Sequence, residues 1–252
     1  MLKKYVLLFI SISLFSLSFS TNAQQAGIEA QVREALKAPY RSDNDRQADT
    51  YRLPAETLAF FGLTDDMRVM EILPGGGYYT KILGQILTNG RLYLAADGER
   101  VEPDLPKWGF NNVEILDDNF EFERRKGQRN YSIAGDFSFD VNDLDMVLTF
   151  RNTHNFNEDD NNRLYREIFK TLKSGGVFGV VGHNRRHMEP YDEARWRRVD
   201  PVGLIKQLQD IGFKFKDYSD VHYRPTDKLV HDTTHPHVNR DSDRFTMIFV
   251  KP

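Results

Sequence analysis

Three consecutive glycines, Gly75, Gly76 and Gly77, are the feature of the sequence that most suggests chemistry. They lie in the stretch EILPGGGYYT, residues 71–80, directly after an apolar segment. Glycine adopts positive φ angles and lets a ligand approach the main chain, and the amides that open a following helix attract polar or anionic groups. An ordinary turn between a strand and a helix rarely uses three glycines. The pattern therefore favours a ligand-binding turn.

A second group of polar residues, RNTH at 151–154, follows another apolar segment. In this group His154 is the best candidate for a general base, with Asn152 positioning the acceptor and Arg151 beside it. In the alternative interpretation, Arg151 and His154 only fix the loop by hydrogen bonds, and the sequence leaves both interpretations open. His183, which ends the next apolar segment, is a second candidate base.

Hydrophobic periodicity indicates the elements that must position these residues. Helices are predicted at Asp49–Phe61, Tyr78–Leu87, Asp159–Leu172 and Val202–Ile211, and strands at Arg68–Leu73, Leu92–Ala96, Val113–Leu116, Leu144–Phe150, Val177–Val181, Phe213–Tyr218 and Phe245–Val250. Strands that alternate with helices of this length predict an α/β fold, because right-handed crossovers leave few other topologies. We expect a Rossmann-like, doubly wound and mostly parallel seven-stranded sheet, with an antiparallel edge strand and helices on both faces.

The first residues have the layout of a secretory signal peptide, because Lys3 and Lys4 precede the apolar run Tyr5–Phe19 and a small-residue stretch. The run is short for a bilayer-spanning helix, so an uncleaved anchor is the weaker alternative. We predict a signal peptide over 1–23, an N-terminal arm over 24–48 and one domain over 49–252. The protein is then exported, periplasmic or secreted, with no membrane span after cleavage.

Composition narrows the chemistry further. The chain has no cysteine, which excludes disulfides, thiolate metal sites and a cysteine nucleophile. Without Lys3 and Lys4 the formal balance is 32 basic against 37 acidic residues, or −5, which disfavours nucleic acid as a partner. A local basic cluster around Arg185 and Arg198 departs from this average and is interpreted as solvated surface.

Two cofactor classes share this architecture, and the spacing within the glycine turn separates them. A dinucleotide fingerprint that starts at Gly75 and continues through Gly77 requires a further glycine at position 80, which is Thr80. The acidic Glu71 inside the preceding strand is not part of that fingerprint. A dehydrogenase is therefore the less favoured reading.

With Glu71 followed by the glycine-rich turn, the sequence resembles the class I methyltransferases. That resemblance implies S-adenosylmethionine as the cofactor, held by Glu71, Pro74, Gly75, Gly76, Gly77 and Tyr79. It further implies that Asp97, at the end of the second strand, accepts both ribose hydroxyls and that Asp118, after the third, contacts the adenine. Tyr79 would pack on the cofactor, although core packing explains at least one of Tyr78 and Tyr79 equally well.

More narrowly, the chain resembles a group of predicted secreted bacterial methyltransferases. The segments that carry this resemblance are LPGGGYY at 73–79, LTFRNTH at 148–154, HNRR at 183–186, DYSDVHYRP at 217–225 and DRF at 243–245. It covers the chain from about residue 49 to the end and implies nothing firm about the methyl acceptor. Oligomeric state is not indicated.

The leading hypothesis is thus an exported S-adenosylmethionine-dependent methyltransferase for a small or medium acceptor. The alternative is a non-catalytic exported protein that keeps the fold and a nucleoside pocket without transfer. The histidine-rich stretch HDTTHPH, residues 231–237, is interpreted as a polar loop near the pocket mouth, and no metal site is predicted, because Pro236 disfavours a helix that would present the imidazoles together.

Overall fold

A computed structural model describes residues 23–124 and 126–252 of the chain. Its helices are α1 (described over residues 23–35), α2 (Asp43–Arg52), α3 (Pro54–Phe61), α4 (Thr80–Ile86), α5 (Leu105–Trp108), α6 (Glu158–Thr171) and α7 (Pro201–Ile211). Its strands are β1 (Arg68–Ile72), β2 (Arg91–Ala95), β3 (Val113–Ile115), β4 (Glu121–Glu123), β5 (Ser132–Ala134), β6 (Leu144–Phe150), β7 (Leu172–Asn184), β8 (Arg198–Val199), β9 (Lys214–Ser219) and β10 (Arg244–Val250).

The main sheet has the strand order β3-β2-β1-β6-β7-β10-β9. The first five strands of this order run parallel, and β10 is antiparallel to both β7 and β9 at one edge. The short β8 pairs with the end of β7, and β4 and β5 form a separate hairpin. The predicted mostly parallel seven-stranded sheet with an antiparallel edge is confirmed.

Apolar side chains cover both faces of the sheet in two clusters. One cluster joins helices α1, α3 and α4 to the sheet through residues such as Leu58, Ile82 and Leu148. The other joins α6 and α7 to it through residues such as Ile168, Leu208 and Phe178. Strands buried on both faces need apolar residues without alternation, which is the pattern that the sequence shows in β6.

The N-terminal residues 24–48, predicted to be an arm, contain α1 and the start of α2. Ile28, Val32 and Ala35 of α1 are buried in the core that α3 and α4 share. Helix α2 begins at a capping box in which Ser42 and Asp45 exchange side-chain and main-chain hydrogen bonds. This segment therefore packs as part of the folded body.

The helix predicted over residues 49–61 is two helices. Leu53 adopts a left-handed conformation with φ of 42°, and Pro54 follows it. Proline has no N–H to continue the first helix and its fixed φ suits the first turn of a new one, so α2 ends and α3 begins here.

Strand β7 is longer than the predicted Val177–Val181, because it begins at Leu172, includes the SGG stretch at 174–176 and continues to Asn184. Its ladder with β10 runs from Val177 to His183. Of the predicted signal peptide, residues 1–22 lie outside the described residues. Within the described part of the chain, we find no helix with the length and apolar character needed to cross a membrane.

Candidate active site

A cavity of about 530 Å³ opens at the carboxyl ends of β1, β6 and β7. In parallel α/β sheets, ligands bind at the carboxyl ends of the strands. Its walls come from the glycine turn after β1, the RNTH segment after β6, helix α2, and the loop before β10. Its lining includes Asp45, Arg52, Glu71, Gly75, Gly76, Tyr79, Phe150, Arg151, Asn152, His154, His183 and Arg244.

The three glycines of the turn have different roles. Gly75 has φ of 59°, and a Cβ atom placed on Gly75 or Gly76 would meet no atom within 4 Å. A Cβ on Gly77, which has φ of 72°, would lie 2.6 Å from Cη2 of Trp108. Gly75 and Gly76 thus leave main chain open to the cavity, whereas Gly77 allows α5 to pack closely.

Glu71 lies at the floor of the cavity. Its carboxylate accepts a hydrogen bond of 2.7 Å from Oγ1 of Thr80 and is 3% exposed. Burial raises the pKa of Glu71 to about 7, against the lowering effects of the Thr80 hydrogen bond and the charge of Arg52. Thr80, where a dinucleotide site would have glycine, therefore orients the acidic residue of β1.

The two tyrosines after the glycines also differ in role. The ring of Tyr79 stacks on Phe150 with 3.5 Å between centroids and an interplanar angle of 11°, and both line the cavity. The hydroxyl of Tyr78 donates a 2.6 Å hydrogen bond to Asp49, which also accepts two hydrogen bonds from Arg41. Tyr78 therefore ties the turn to α2, and Tyr79 forms a wall of the cavity.

Asp97 and Asp118 do not line this cavity. Asp97 follows the end of β2 and has φ of 81°. Its carboxylate lies 3.6 Å from the guanidinium of Arg100. Asp118 is buried, and its two carboxylate oxygens accept hydrogen bonds from the amides of Ala96 (2.6 Å) and Phe120 (3.0 Å). Asp118 therefore fixes the ends of β2 and β3. The contact of Asp97 with the ribose and that of Asp118 with the adenine, which the resemblance implies, stay predictions.

The amide of Asn152 is committed to the main chain around it. Its Nδ2 donates to the carbonyl oxygens of Ile72 (3.2 Å) and Leu73 (3.3 Å), and its Oδ1 accepts from Asn155. The side chain thereby joins the exit of β6 to the exit of β1. Asn152 positions the glycine turn in this structure, and its predicted contact with the acceptor remains a prediction.

His154 and His183 are buried side by side, with ring centroids 5.8 Å apart. Burial, and then the nearby charge of Arg197, lowers the pKa of His154 to about 3, so the ring is neutral at physiological pH. Its Nδ1 atom has no hydrogen-bond partner among the described residues. Nδ1 of His183 lies 2.8 Å from Oγ of Ser242, and burial also lowers the pKa of His183.

His154 separates two cavities. A second cavity of about 450 Å³ is lined by residues that include Phe156, Trp196 and Tyr191, and His154 lines it as well as the first. Its imidazole packs edge-on against Trp196 with 5.1 Å between centroids. A ligand in either cavity can therefore contact this ring.

Arg52, Arg244 and Asp45 are cavity residues that the sequence analysis did not select as site residues. Arg244 is 4% exposed, and its guanidinium donates to the carbonyl oxygens of Tyr51 (2.7 Å) and Arg240 (2.8 Å). The only signal for Arg244 was its place in the DRF segment. Arg52 and Asp45 lie in a helix whose polar residues are ordinary for a solvated surface.

Comparisons with known proteins agree on the fold. No protein-family model matches the chain, and no curated protein does. Among solved structures, a SAM-dependent methyltransferase from Aquifex aeolicus superposes with a TM-score of 0.53 at 17% identity, over 84% of this chain and all of that one. The [4+2]-cyclase SpnF superposes with a TM-score of 0.55 at 17% identity, over 86% of this chain and 83% of that one.

A third similar structure has ligands in its crystal. It is 1,6-didemethyltoxoflavin-N1-methyltransferase from Burkholderia thailandensis, with 1,6-didemethyltoxoflavin and S-adenosylhomocysteine bound. It superposes with a TM-score of 0.50 at 15% identity over 98% of this chain and 89% of its own. At these identities the likeness establishes the fold alone: the chain has the class I methyltransferase fold, which these structures show in a cyclase as well as in methyltransferases.

Proposed function

We propose that the protein is an S-adenosylmethionine-dependent methyltransferase that acts on a small or medium acceptor outside the cytoplasm. The observation that carries this proposal is the glycine turn, whose Gly75 and Gly76 leave main chain open to a cavity that also contains the buried carboxylate of Glu71. The similar structures support the cofactor, and the layout of residues 1–23 in the sequence supports export.

The residues present fit the amino-acid half of the cofactor. A cradle without side chains at Gly75 and Gly76 can take the aminoacyl group, and Glu71 can accept hydrogen bonds from its ammonium. The ring pair of Tyr79 and Phe150 closes one wall. Asp97 stands at the exit of β2 as the predicted sugar ligand.

When bound, S-adenosylmethionine supplies a methyl group on a sulfonium, which an acceptor nucleophile displaces in line. The largest contribution of the chain is then alignment, worth up to about 7–11 kcal/mol. Because His154 has a pKa near 3, it is a weak base in the free protein. Its neutral imidazole can still accept a hydrogen bond from the acceptor and orient it.

The test is calorimetric titration of the purified protein with S-adenosylmethionine, S-adenosylhomocysteine and NAD. We expect heat of binding from the first two and none from NAD. Gly75→Val should abolish cofactor binding, because the branched side chain strains a turn with positive φ and occupies the open space. Absence of binding by both adenosyl compounds to the wild-type protein would refute the proposal.

The non-catalytic alternative has a specific observation in its favour, since the one histidine that lines both cavities is a weak base and neither predicted sugar nor adenine ligand reaches the cavity. Incubation with radiolabelled S-adenosylmethionine and envelope or metabolite extracts separates the two. Transfer of label supports the enzyme, and tight cofactor binding without transfer to any fraction supports the alternative.

Export is tested separately. Residues 1–30 fused to a reporter that is active only outside the cytoplasm should give signal, and a fusion in which Lys3 and Lys4 are replaced by glutamate should give less. A silent wild-type fusion would refute export without bearing on the cofactor.

A further inference from the structure

The cavity contains more unpaired positive charge than its expected cofactor can neutralise. Arg52, Arg151 and Arg244 all line it, and none of the three forms an ion pair with a carboxylate within the described residues. By contrast, Arg197 at the cavity edge is paired with Asp232 at 2.6 Å. Three guanidinium groups in the lining of the cavity therefore have no protein carboxylate to neutralise them among the described residues.

Two of the three have nitrogen atoms that lack any partner. Nε of Arg52 and Nε of Arg151 are buried and make no hydrogen bond among the described residues. Arg52 lies over the ring of Tyr78, with its guanidinium carbon 4.0 Å from the centroid. Arg41, Arg68 and Arg185 also have a buried Nε without a partner, but they do not line this cavity. The position of Arg52 and Arg151 in its lining, together with their unused donors, is what points to a ligand that supplies acceptors.

The three side chains also face one another. The charges of Arg52 and Arg244 both lower the pKa of Arg151 to about 9, after the larger effect of burial. Burial likewise lowers the pKa of Arg244 to about 10, and the charge of Arg52 contributes. Like charges that approach each other in a partly dehydrated cavity destabilise the free protein, and a bound anion would relieve this repulsion.

Acidic groups near these arginines do not supply the missing charge. Glu71 faces Arg52, but burial raises the pKa of Glu71 to about 7, so it is only partly ionised at neutral pH. Asp45 is committed to Lys81 at 2.8 Å. Asp241, near Arg244, is paired with Arg224 at 2.6 Å.

S-adenosylmethionine cannot neutralise the cavity either, because it carries a net positive charge and has a single carboxylate. We infer that the methyl acceptor carries an anionic group, a carboxylate or a phosphate, that Arg151 and Arg52 bind, with Arg244 completing the positive wall. This inference deepens the proposed function and rests on it in one respect, which is that the anion belongs to a methyl acceptor. The anion site itself does not depend on the cofactor.

The experiment measures thermal unfolding of the purified full protein in inorganic phosphate, in acetate, in citrate and in chloride at matched ionic strength. Phosphate or a carboxylate should raise the melting temperature relative to chloride. A response to phosphate alone would identify a phosphate-bearing acceptor, and a response to acetate or citrate alone a carboxylate.

Arg151→Met and Arg52→Met are the test variants, because methionine keeps much of the side-chain volume and removes the charge. Each should raise the melting temperature in chloride, since repulsion is relieved, and lose the anion response, with affinity weakened about ten- to a hundredfold. Arg91→Met is the matched control, because Arg91 is exposed at the amino end of β2, whereas the cavity lies at the carboxyl ends of the strands. It should retain the wild-type response.

Wild-type protein that responds equally to chloride and to all three anions would overturn the inference, and so would Arg151→Met and Arg52→Met variants that both keep the wild-type anion response. Calorimetry with S-adenosylmethionine on the same samples keeps the two proposals apart. Anion binding without cofactor binding would remove the methyltransferase proposal and leave the anion site, and the reverse result would remove only the anion site.

A separate observation points to a metal site in the loop before β10. The imidazoles of His231, His235 and His237 each place a nitrogen atom within 4.8 Å of the other two. Ring centroids of His231 and His235 are 4.0 Å apart, and those of His235 and His237 are 4.9 Å apart. The sequence analysis interpreted this stretch as a polar loop, because Pro236 prevents a helical arrangement, but the loop itself brings the rings together.

We propose that these three histidines bind a divalent transition metal ion, with Zn²⁺, Ni²⁺ and Cu²⁺ as the ions that imidazole ligands suit. The rings of His231 and His235 are stacked, with 6° between their planes, so at least one of them must rotate to direct its in-plane lone pair at the ion. The three nitrogen atoms must also approach one another, because ligands of one ion lie closer together than 4.8 Å. Nδ1 of His235 accepts a 3.2 Å hydrogen bond from the main-chain amide of His237, which places the proton of the neutral ring on Nε2. A metal ion bound at either nitrogen of His235 would therefore replace this hydrogen bond. Thr233 and Thr234 of the same loop line the main cavity, so a metal ion here would stiffen its wall.

Untagged protein, first treated with chelator, should bind one equivalent of Zn²⁺ or Ni²⁺ in calorimetric titration. His235→Gln should weaken binding at least tenfold, and His187→Gln, which removes an exposed histidine outside the loop, should leave it unchanged. Because the loop is at the surface, His235→Gln is expected to fold, which circular dichroism checks. No saturable binding by the wild-type protein, or equal loss in both variants, would overturn the metal site.

Discussion

Acid should destabilise the protein through buried neutral histidines. Burial lowers the pKa of His154 from 6.5 to about 3 and that of His222 to about 4, and it lowers the pKa of His183 well below 6.5. Below pH 6.5 the unfolded chain binds protons at these positions while the folded chain does not. The stability that they contribute is therefore present above pH 6.5 and is lost as the pH falls.

The size of the effect follows from these pKa values. A histidine that stays neutral in the folded protein costs about 2 kcal/mol at pH 5 relative to pH 7.5, so His154 and His222 together cost about 4 kcal/mol. Glu71 acts in the opposite sense, because its pKa is raised from 4.5 to about 7 and the folded protein takes up its proton first. Acidification to pH 5 returns about 2 kcal/mol at Glu71, which leaves a net loss of about 2 kcal/mol, and His183 increases the loss in the same direction.

Urea unfolding at pH 7.5 and pH 5 measures this difference directly. The variant His154→Gln should lose about 2 kcal/mol less than the wild-type protein over the same interval. Since Nδ1 of His154 has no partner, this substitution breaks no hydrogen bond of that atom. A wild-type loss below about 1 kcal/mol, or an unchanged loss in His154→Gln, would contradict the reasoning.

Three further predictions concern the residues around the glycine turn. In urea unfolding, Gly77→Ala should be about 1–3 kcal/mol less stable than Gly75→Ala, because both positions have positive φ but only the methyl group at position 77 meets Trp108. Equal stability of the two variants would show that Trp108 yields without cost. Asp118→Ala should cost about 1–3 kcal/mol by leaving the amides of Ala96 and Phe120 without acceptors, measured by the same assay, and an unchanged midpoint would remove its structural role. Asp97→Ala should weaken S-adenosylmethionine binding about ten- to a hundredfold in calorimetry if the carboxylate binds the ribose, and wild-type affinity would exclude that contact.

The sequence predicted the sheet well because its central strands, such as β1 and β6, are marked by mainly apolar runs bounded by glycine or polar residues. The run in β6 was predicted with its observed ends, Leu144 and Phe150. Periodicity was less informative around residue 53, where a left-handed residue before Pro54 divides one apolar pattern into two helices. The extension of β7 beyond Val181 depends on pairing with β10, which is far away in the sequence.

The candidate site was predicted only in part, because motif position does not report side-chain partners. The glycine turn marked the ligand-facing edge of the sheet, and Arg151, Asn152 and His154 do lie there. The bonds of Asn152 to the exit of β1 could not be read from its position in the sequence, since they join residues about 80 apart along the chain. The contribution of Arg52 and Arg244 likewise depends on tertiary contacts between the two ends of the chain.

The packing of α1 and α2 has a practical consequence for protein engineering. A shortened chain that starts at Asp49, where periodicity alone sets the domain boundary, would discard Ile28 and Val32 from the hydrophobic interior and Asp45 from its ion pair with Lys81. Such a truncation would expose apolar surface on α3 and α4 and leave a buried lysine uncompensated. Expression trials should therefore retain every residue from 24 onward, and affinity tags belong at the C-terminus or upstream of that point.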